Sequence, residues 1–156
     1  MAEEKQPASP KVNVVSQYIR DMSFENFAAR TKKPPEAGPD INVQVNLDAA
    51  KLGESFEVIL KLKVDAKSGD NEIFLLELEY AGVFNIQDVP EEHLHPVLMI
   101  ECPRLLFPFA RRIVRDTTAD GGFPPLNVDS VDFLALYRAE IERRAAQEKA
   151  EDKKVN

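Results

Sequence analysis

Three consecutive stretches of the chain alternate apolar and polar side chains, and this pattern constrains the fold more than any other feature. Residues 41–48 carry Ile, Val or Leu at odd positions and Asn, Gln or Asp at even ones. Residues 55–66 and 72–86 carry most of their apolar side chains at even positions. Such a period of two is typical of strands with one buried face. Gly53 and residues 68–71 supply hairpin turns, so the sequence predicts an antiparallel sheet.

A further strand is expected before these three. Residues 12–25 are rich in β-branched and aromatic side chains, and Asp21 and Glu25 share one parity along the segment. Residues 31–40 contain three prolines and a glycine, a composition that excludes the interior of a helix or strand. Because this connection is longer than a hairpin needs, it indicates a crossover. The polar residues 1–10 are expected to form a disordered leader.

After Asp88 the hydrophobic period changes from two to between three and four residues, which predicts helices. Asp88 and Glu91 are expected to cap the start of a long helix. Pro103 should kink this helix, because proline lacks an amide donor and clashes with the preceding turn. The fold class is therefore α+β, a four-stranded antiparallel sheet followed by a kinked long helix and a second C-terminal helix.

The second helix is predicted to open at Asp129 or Ser130, after a loop that begins at Gly121 and Gly122. Its apolar stripe stops near Arg143, beyond which charged side chains dominate. Residues 143–156 are therefore expected to fray into a charged, flexible tail. Residues 11–142 should then form one domain, a size that a single core can fill.

Acidic residues dominate the charge of the chain. There are 20 Lys or Arg against 27 Asp or Glu, a formal charge of −7, and Asp70 to Glu101 holds eight carboxylates without a Lys or Arg. This balance argues against a general nucleic-acid binder and favours a basic partner. The single Cys102 excludes an intrachain disulfide and fits a reducing compartment. With neither a signal peptide nor a membrane span in the sequence, we expect a cytoplasmic protein.

The residues that could carry catalysis do not form a site in the sequence. His93 and His95 lie two positions apart on a predicted helix and would point to different sides, so they could not share one metal ion. Cys102 lies in an apolar run that favours a buried thiol over a nucleophile. Glu77 and Glu79 lack a reason for the raised pKa that a general acid needs. We expect no enzyme activity, no metal and no cofactor.

The odd face of the last strand breaks the clean alternation. Ile73 and Leu75 lie on it beside Glu77 and Glu79, so large aliphatic side chains accompany carboxylates on a face that should be solvated. This arrangement fits either an edge strand packed by a neighbouring loop or a docking surface. In a docking surface the apolar area would supply affinity and the carboxylates would select a basic partner.

Four segments together carry a resemblance to a known family. They are YIRDMSFE at 18–25, FLLE at 74–77, CPRLLFPFAR at 102–111, and GFPPLN through FLALY at 122–137. In this order and at matching spacings they closely resemble the SecB protein-export chaperone family, over about residues 11–140.

The resemblance implies a cytoplasmic, ATP-independent chaperone that assembles as a homotetramer, a dimer of dimers in which sheets join and long helices pack between the dimers. Its clients would be unfolded precursor proteins, and its partner the export motor ATPase SecA. The basic, zinc-containing C-terminal tail of the motor would meet the acidic face of the sheet. The motor-binding positions of the family fall on Asp21, Glu25, Leu75 and Glu77.

The family binds its clients in long apolar grooves between the sheet, the crossover and the last helix. The client-binding candidates implied by position are Phe27, Val43, Val45, Leu47, Phe133, Leu136 and Tyr137. Each of them could equally be an ordinary core residue. The family commonly has a tryptophan in the crossover, whereas this chain has none and reads KKPPEAGP at 32–39.

Two other functions remain open at this point. A SecB-like general or toxin-antitoxin holdase would keep the fold and the client grooves but would not contact the motor. A small α+β enzyme such as a hotdog-like thioesterase would need a buried polar residue aimed at a substrate tunnel, and the sequence offers no candidate for it. Charge reversal at Glu77 with Leu75→Arg would separate the two chaperone hypotheses.

Overall fold

A four-stranded antiparallel sheet forms the centre of the computed structural model, which describes residues 11–33 and 38–155. The strands are β1 (Lys11–Asn26), β2 (Asp40–Leu52), β3 (Ser55–Ser68) and β4 (Asn71–Gln87). Their spatial order is β1-β4-β3-β2, so β1 and β2 are the two edges. The predicted antiparallel sheet is confirmed. The leader 1–10, and residues 34–37 of the crossover, lie outside the described residues.

The two faces of the sheet differ as the alternation predicts. Directly paired residues share a face, and the pairs Val45–Leu62 and Leu62–Leu78 lie on the side that the helices cover, here called the inner face. The pairs Asn46–Lys61 and Lys61–Glu79 lie on the opposite, outer face. The apolar core therefore forms between the inner face and the helices.

Tight turns at glycines set the register of the two hairpins. Leu52 pairs with Ser55, and Ser68 with Asn71, which leaves two-residue loops that each begin with a glycine. Gly53 and Gly69 have φ of 63° and 60°, a left-handed conformation that glycine adopts without the clash of a Cβ atom. The predicted hairpin turns are thus present.

A short helix, α1 (Phe27–Thr31), follows β1 in a stretch for which the sequence predicted no helix or strand. The Asn26 side-chain oxygen accepts a hydrogen bond from the Ala29 amide at 3.0 Å, which caps the first turn. The helix ends at Lys32, whose φ of 55° is left-handed. With five residues, α1 is too short for a hydrophobic period to show in the sequence.

The long helix has three parts: α2 (Glu91–Pro96), a π-helical turn (Val97–Glu101) and α3 (Cys102–Asp120). The predicted capping by Asp88 is wrong, because Asp88 has a left-handed φ of 59° and the helix starts after Pro90 without a side-chain cap. The irregularity, the π-helical turn, lies just before Pro103, on the side where a proline clashes with the preceding turn. Pro103 lies in the first turn of α3, where a missing amide donor costs little.

The last helix, α4 (Phe133–Val155), begins later and ends later than the sequence predicts. The Asp132 carboxylate accepts a hydrogen bond from the Ala135 amide at 3.0 Å and so marks the start. The fraying expected after Arg143 is not what the structure shows, because the helix continues through an Ala-, Glu- and Lys-rich sequence of high helix propensity. Hydrogen bonds from Arg143 and Arg144 lower the pKa of Glu140 and support the turn where the apolar stripe stops.

Candidate functional site

An apolar groove lies between the inner face of β2 and the helix α4. Val45 and Leu47 line it from the strand, and Leu136 and Tyr137 line it from the helix. Met99, on the π-helical turn, and Ile141 add to the apolar lining of this cavity of about 210 Å³. Since β2 is an edge strand, its inner side chains reach beyond the core and are half-buried rather than sealed.

The structure divides the predicted client-binding residues into three groups. Val45, Leu47, Leu136 and Tyr137 line the groove together, and Val43 shares its strand face. Phe133 is 1% exposed and belongs to the core, which favours the alternative interpretation for that residue. Phe27 lies elsewhere, in a cavity beside α1 that also involves Lys67 and Leu75.

Polar side chains form the rim of this groove. The His95 ring nitrogen Nδ1 and the Tyr137 hydroxyl are 3.3 Å apart, and the two rings are tilted with centroids 5.5 Å apart. Glu140 accepts hydrogen bonds from Arg143 at 2.6 Å and from Arg144 at 3.1 Å. The groove thus has an apolar floor and a hydrogen-bonding rim, which suits an extended peptide with apolar side chains.

A second apolar cavity, of about 350 Å³, lies at the end of β2 near the crossover. It is lined by Pro39 and Ile41 on one side and by Phe74, Phe123 and Leu126 on the other. Ile41 is 44% exposed. These residues are not among the predicted client-binding residues, although Ile41 opens the alternating segment and Phe123 lies in a family-like motif. Their proximity depends on the loop after α3, which local patterns do not position.

The four residues predicted to bind a motor lie together on the outer face of the sheet. Glu25 on β1 pairs directly with Leu75 on β4, and the neighbouring pair joins Ser23 to Glu77. Asp21 follows two residues away on the same face, opposite Glu79. Asp21, Glu25, Leu75 and Glu77 are here called the acidic patch. Since β4 lies between β1 and β3, the alternative of an edge strand is wrong.

Ile73 does not join the acidic patch. A shift in the pairing of β3 with β4 between Ala66 and Lys67 leaves Ile73 without a direct partner, and its side chain is buried in the core. The bulge therefore moves one of the two predicted aliphatic residues away from the outer face. Leu75 remains on it, half-buried among charged neighbours.

Ion pairs cross the outer face next to the acidic patch. Arg20 Nη1 lies 3.0 Å from Glu79 Oε2, and Lys61 Nζ lies 3.9 Å from Glu79 Oε1. Lys61 Nζ also lies 2.7 Å from Asp48 Oδ2, and this hydrogen bond raises the pKa of Lys61. One residue from each strand takes part, and we call these four residues the ion ladder.

Groups that could carry covalent or metal chemistry are either buried or dispersed. Cys102 is fully buried, and burial raises the pKa of its thiol to about 12, so the group is neutral at physiological pH. Within residues 11–33 and 38–155, no group of three His, Cys, Asp or Glu side chains could hold a metal ion. The helices of this described part include none that is long and apolar enough to cross a bilayer.

Comparison with known proteins decides the family. Residues 5–144 match the family described as preprotein translocase subunit SecB. The chain belongs to the SecB family. The protein-export protein SecB of Dinoroseobacter shibae is 58% identical, over 95% of this chain and 88% of the relative. SecB of Cereibacter sphaeroides is also 58% identical, over 92% and 91% respectively.

A solved structure supports the SecB fold independently. The SecB-like chaperone of Mycobacterium tuberculosis, in complex with a ChAD peptide from an antitoxin, superposes with a TM-score of 0.65. It covers 77% of this chain and 90% of its own, at 16% sequence identity. At that identity the likeness shows the shared α+β architecture alone. The SecB family assignment, with the sheet and helices described above, makes this chain a protein-export chaperone by family.

Proposed function

We propose that this protein holds unfolded precursor proteins without ATP in the cytoplasm and delivers them to the SecA motor ATPase. The observation that carries the proposal is the placement of the apolar groove and the acidic patch on opposite faces of one sheet. A client segment seated between β2 and α4 would leave the outer face uncovered. A loaded chaperone could therefore still dock on a basic partner.

The groove supports weak, sequence-tolerant binding. Burying apolar area is worth about 25 cal/mol per Å², but ordering a flexible client segment offsets most of this gain. A cavity of about 210 Å³ accommodates a few side chains and so would bind one segment modestly. Strong holding would come from several grooves that engage one long client, which multiplies the apparent affinity.

Exposed apolar residues support the assembly that supplies several grooves, a dimer of dimers. Val14, Val15 and Ile19 on the edge strand β1 are 43%, 56% and 49% exposed. Leu105 and Phe109 on α3 are also large apolar residues with 43% exposure each. An edge strand with apolar side chains is a template for pairing, so we infer that β1 pairs with a second copy and that α3 packs between dimers.

The groove is tested by replacing Val45 with serine and comparing Gln44→Ser, which changes the outer face of the same strand. Val45→Ser should weaken the suppression of precursor aggregation several-fold, because it removes apolar area from the floor of the groove. Gln44→Ser should behave as the unchanged protein. Light scattering of a denatured precursor, diluted into each variant without nucleotide, measures the effect. Equal activity of both variants would contradict the groove assignment.

The acidic patch is tested by the double change Glu77→Lys and Leu75→Arg. Binding to purified SecA should fall at least tenfold, since two introduced cations repel a basic partner, while client holding should be retained. Isothermal titration with the motor measures the first property and the aggregation assay the second. Motor binding that survives would contradict the docking assignment, while client holding could stand. No motor binding by the unchanged protein would favour the alternative holdase, a possibility raised by the antitoxin peptide bound to the Mycobacterium tuberculosis chaperone.

A further inference from the structure

The ion ladder owes its position to an irregularity in β1. Ile19 pairs with Tyr80 and Asp21 pairs with Glu79, so Arg20 is an additional residue without a direct partner on β4. The bulge allows Arg20 to reach the outer face next to Asp21, where its guanidinium donates a hydrogen bond to the Glu79 carboxylate at 3.0 Å. A regular strand would place Arg20 and Asp21 on opposite faces.

The ladder divides the carboxylates of the outer face into two kinds. Glu79 uses one oxygen toward Arg20 and the other toward Lys61, and its side chain is 28% exposed. Asp21 and Glu77 form no salt bridge with any residue in the described part of the chain, and Glu25 has Arg30 at 3.9 Å. The charge of Glu79 is therefore balanced within the sheet, while those of Asp21 and Glu77 face solvent.

We propose that Arg20 determines the selectivity of the acidic patch, by neutralising Glu79 and confining the unbalanced negative charge to Asp21 and Glu77. This inference rests on the proposed docking function and specifies the chemistry of its partner. The partner is a basic protein segment that places its cations against the carboxylates of Asp21 and Glu77, next to Leu75. The neighbouring ladder contributes no net attraction.

Selectivity matters because a chaperone of unfolded chains meets many lysine-rich segments. A lone carboxylate attracts any cation nearby, whereas a balanced pair is a dipole whose field falls off more steeply with distance. Removing Arg20 would add one free negative charge beside Asp21. It would therefore raise affinity for unspecific polycations more than affinity for a partner matched to the patch.

The experiment compares four single variants of the full chain: Glu77→Gln, Glu79→Gln, Arg20→Gln and Arg20→Lys. Each is titrated with purified SecA and with an oligolysine peptide over a series of salt concentrations. Glu77→Gln should weaken SecA binding about fivefold, and Glu79→Gln less than about twofold, on the scale of exposed charge contacts. Arg20→Gln should strengthen oligolysine binding about threefold and steepen its salt dependence. Arg20→Lys should restore the original values.

Two results would overturn the inference. One is a loss of SecA affinity in Glu79→Gln that equals the loss in Glu77→Gln, because Glu79 would then be a docking residue. The other is an oligolysine affinity that stays unchanged in Arg20→Gln and also in an additional variant, Arg20→Ala. Circular dichroism and client holding verify that each variant is folded.

The docking function itself can fail separately. If Glu77→Gln and Glu25→Gln both leave SecA binding intact, the acidic patch is not the motor site. The role of Arg20 is then still decided by oligolysine affinity. The comparison is between Arg20→Gln and the double variant that carries both Arg20→Gln and Glu79→Gln. In that comparison, the double variant should lose the gain in oligolysine affinity, since it removes the carboxylate that Arg20→Gln sets free.

Discussion

The two faces of the sheet use alternate residues of the same strands for different physical tasks. On β4, Leu78 is 1% exposed beneath the helices, whereas its neighbours Glu77 and Glu79 lie on the outer face. The inner face gains free energy by excluding water. The outer face stays hydrated, and its charges form two groups: the neutral ion ladder and the negatively charged acidic patch. Stability should therefore depend on the inner face, and partner choice on the outer one.

Cys102 should react with thiol reagents only when the protein unfolds globally, so its protection should equal the full free energy of unfolding. Its thiol is buried and its pKa is raised to about 12, so both access and thiolate formation are suppressed. Labelling by an aromatic disulfide at pH 8 should be slower than in denaturant by about a thousandfold or more. Rapid labelling of the native protein would mean that the helix layer opens readily from the inner face.

The same thiol predicts a loss of stability at alkaline pH. As pH rises, the unfolded thiol, with an ordinary pKa of 9.0, ionises first, while the folded thiol keeps its proton up to about 12. The contribution of Cys102 is thus fully present below about pH 9 and is lost progressively toward pH 12. Urea midpoints at pH 8 and 10.5 measure the loss of stability. The difference between the two midpoints should be smaller in Cys102→Ala.

Leu78→Ala should be the most destabilising of the substitutions considered for β4. It removes buried methyl groups and leaves a cavity under the helices, at a cost of about 3 kcal/mol. The adjacent Glu77→Ala should change the free energy of unfolding by less than about 0.5 kcal/mol, because that side chain is solvated. Urea denaturation of both variants gives the comparison, and similar values would remove the distinction between the faces.

Gly82→Ala tests how closely α3 approaches the inner face. A Cβ atom at Gly82 would lie 2.8 Å from Leu106 Cδ2 and 2.8 Å from a ring carbon of Phe84, so packing would have to shift. We expect a loss of about 2 kcal/mol in the free energy of unfolding. In the background of Leu106→Ala the added methyl group should cost less, since the crowded atom is gone. Strict additivity in this cycle would contradict a close approach at this point.

The sequence predicted the faces of β2, β3 and β4 because a period of two is a local property of a strand. It failed for Ile73 and offered no prediction for Arg20, because the placement of both residues depends on bulges in the pairing with another strand. The ion ladder was missed for the same reason: each of its members lies on a different strand. It becomes visible only when the order β1-β4-β3-β2 is known.

The groove shows a similar division between local and distant information. Alternation predicts that Val45 and Leu47 share one strand face. The family resemblance selects these two together with Leu136 and Tyr137, and the structure brings all four together. For Phe133 and Phe27, the residue type does not distinguish a core position from a groove position, since a phenylalanine fits either. Their burial is set by where α4 begins and by α1, neither of which the local pattern predicted.

The smallest expected effect is that of Lys61→Gln, which interrupts the ion ladder on β3. Lys61 contacts Asp48 at 2.7 Å and Glu79 at 3.9 Å, but exposed ion pairs contribute little to stability, because ordering the long side chain offsets the attraction. We therefore expect only a small lowering of the urea midpoint, which shrinks further in 0.5 M salt. Urea denaturation at low and high salt measures it, with Lys63→Gln on the same face as the control. A loss as large as that of Leu78→Ala, and one that salt does not reduce, would mean that the outer face supports the fold as the inner face does.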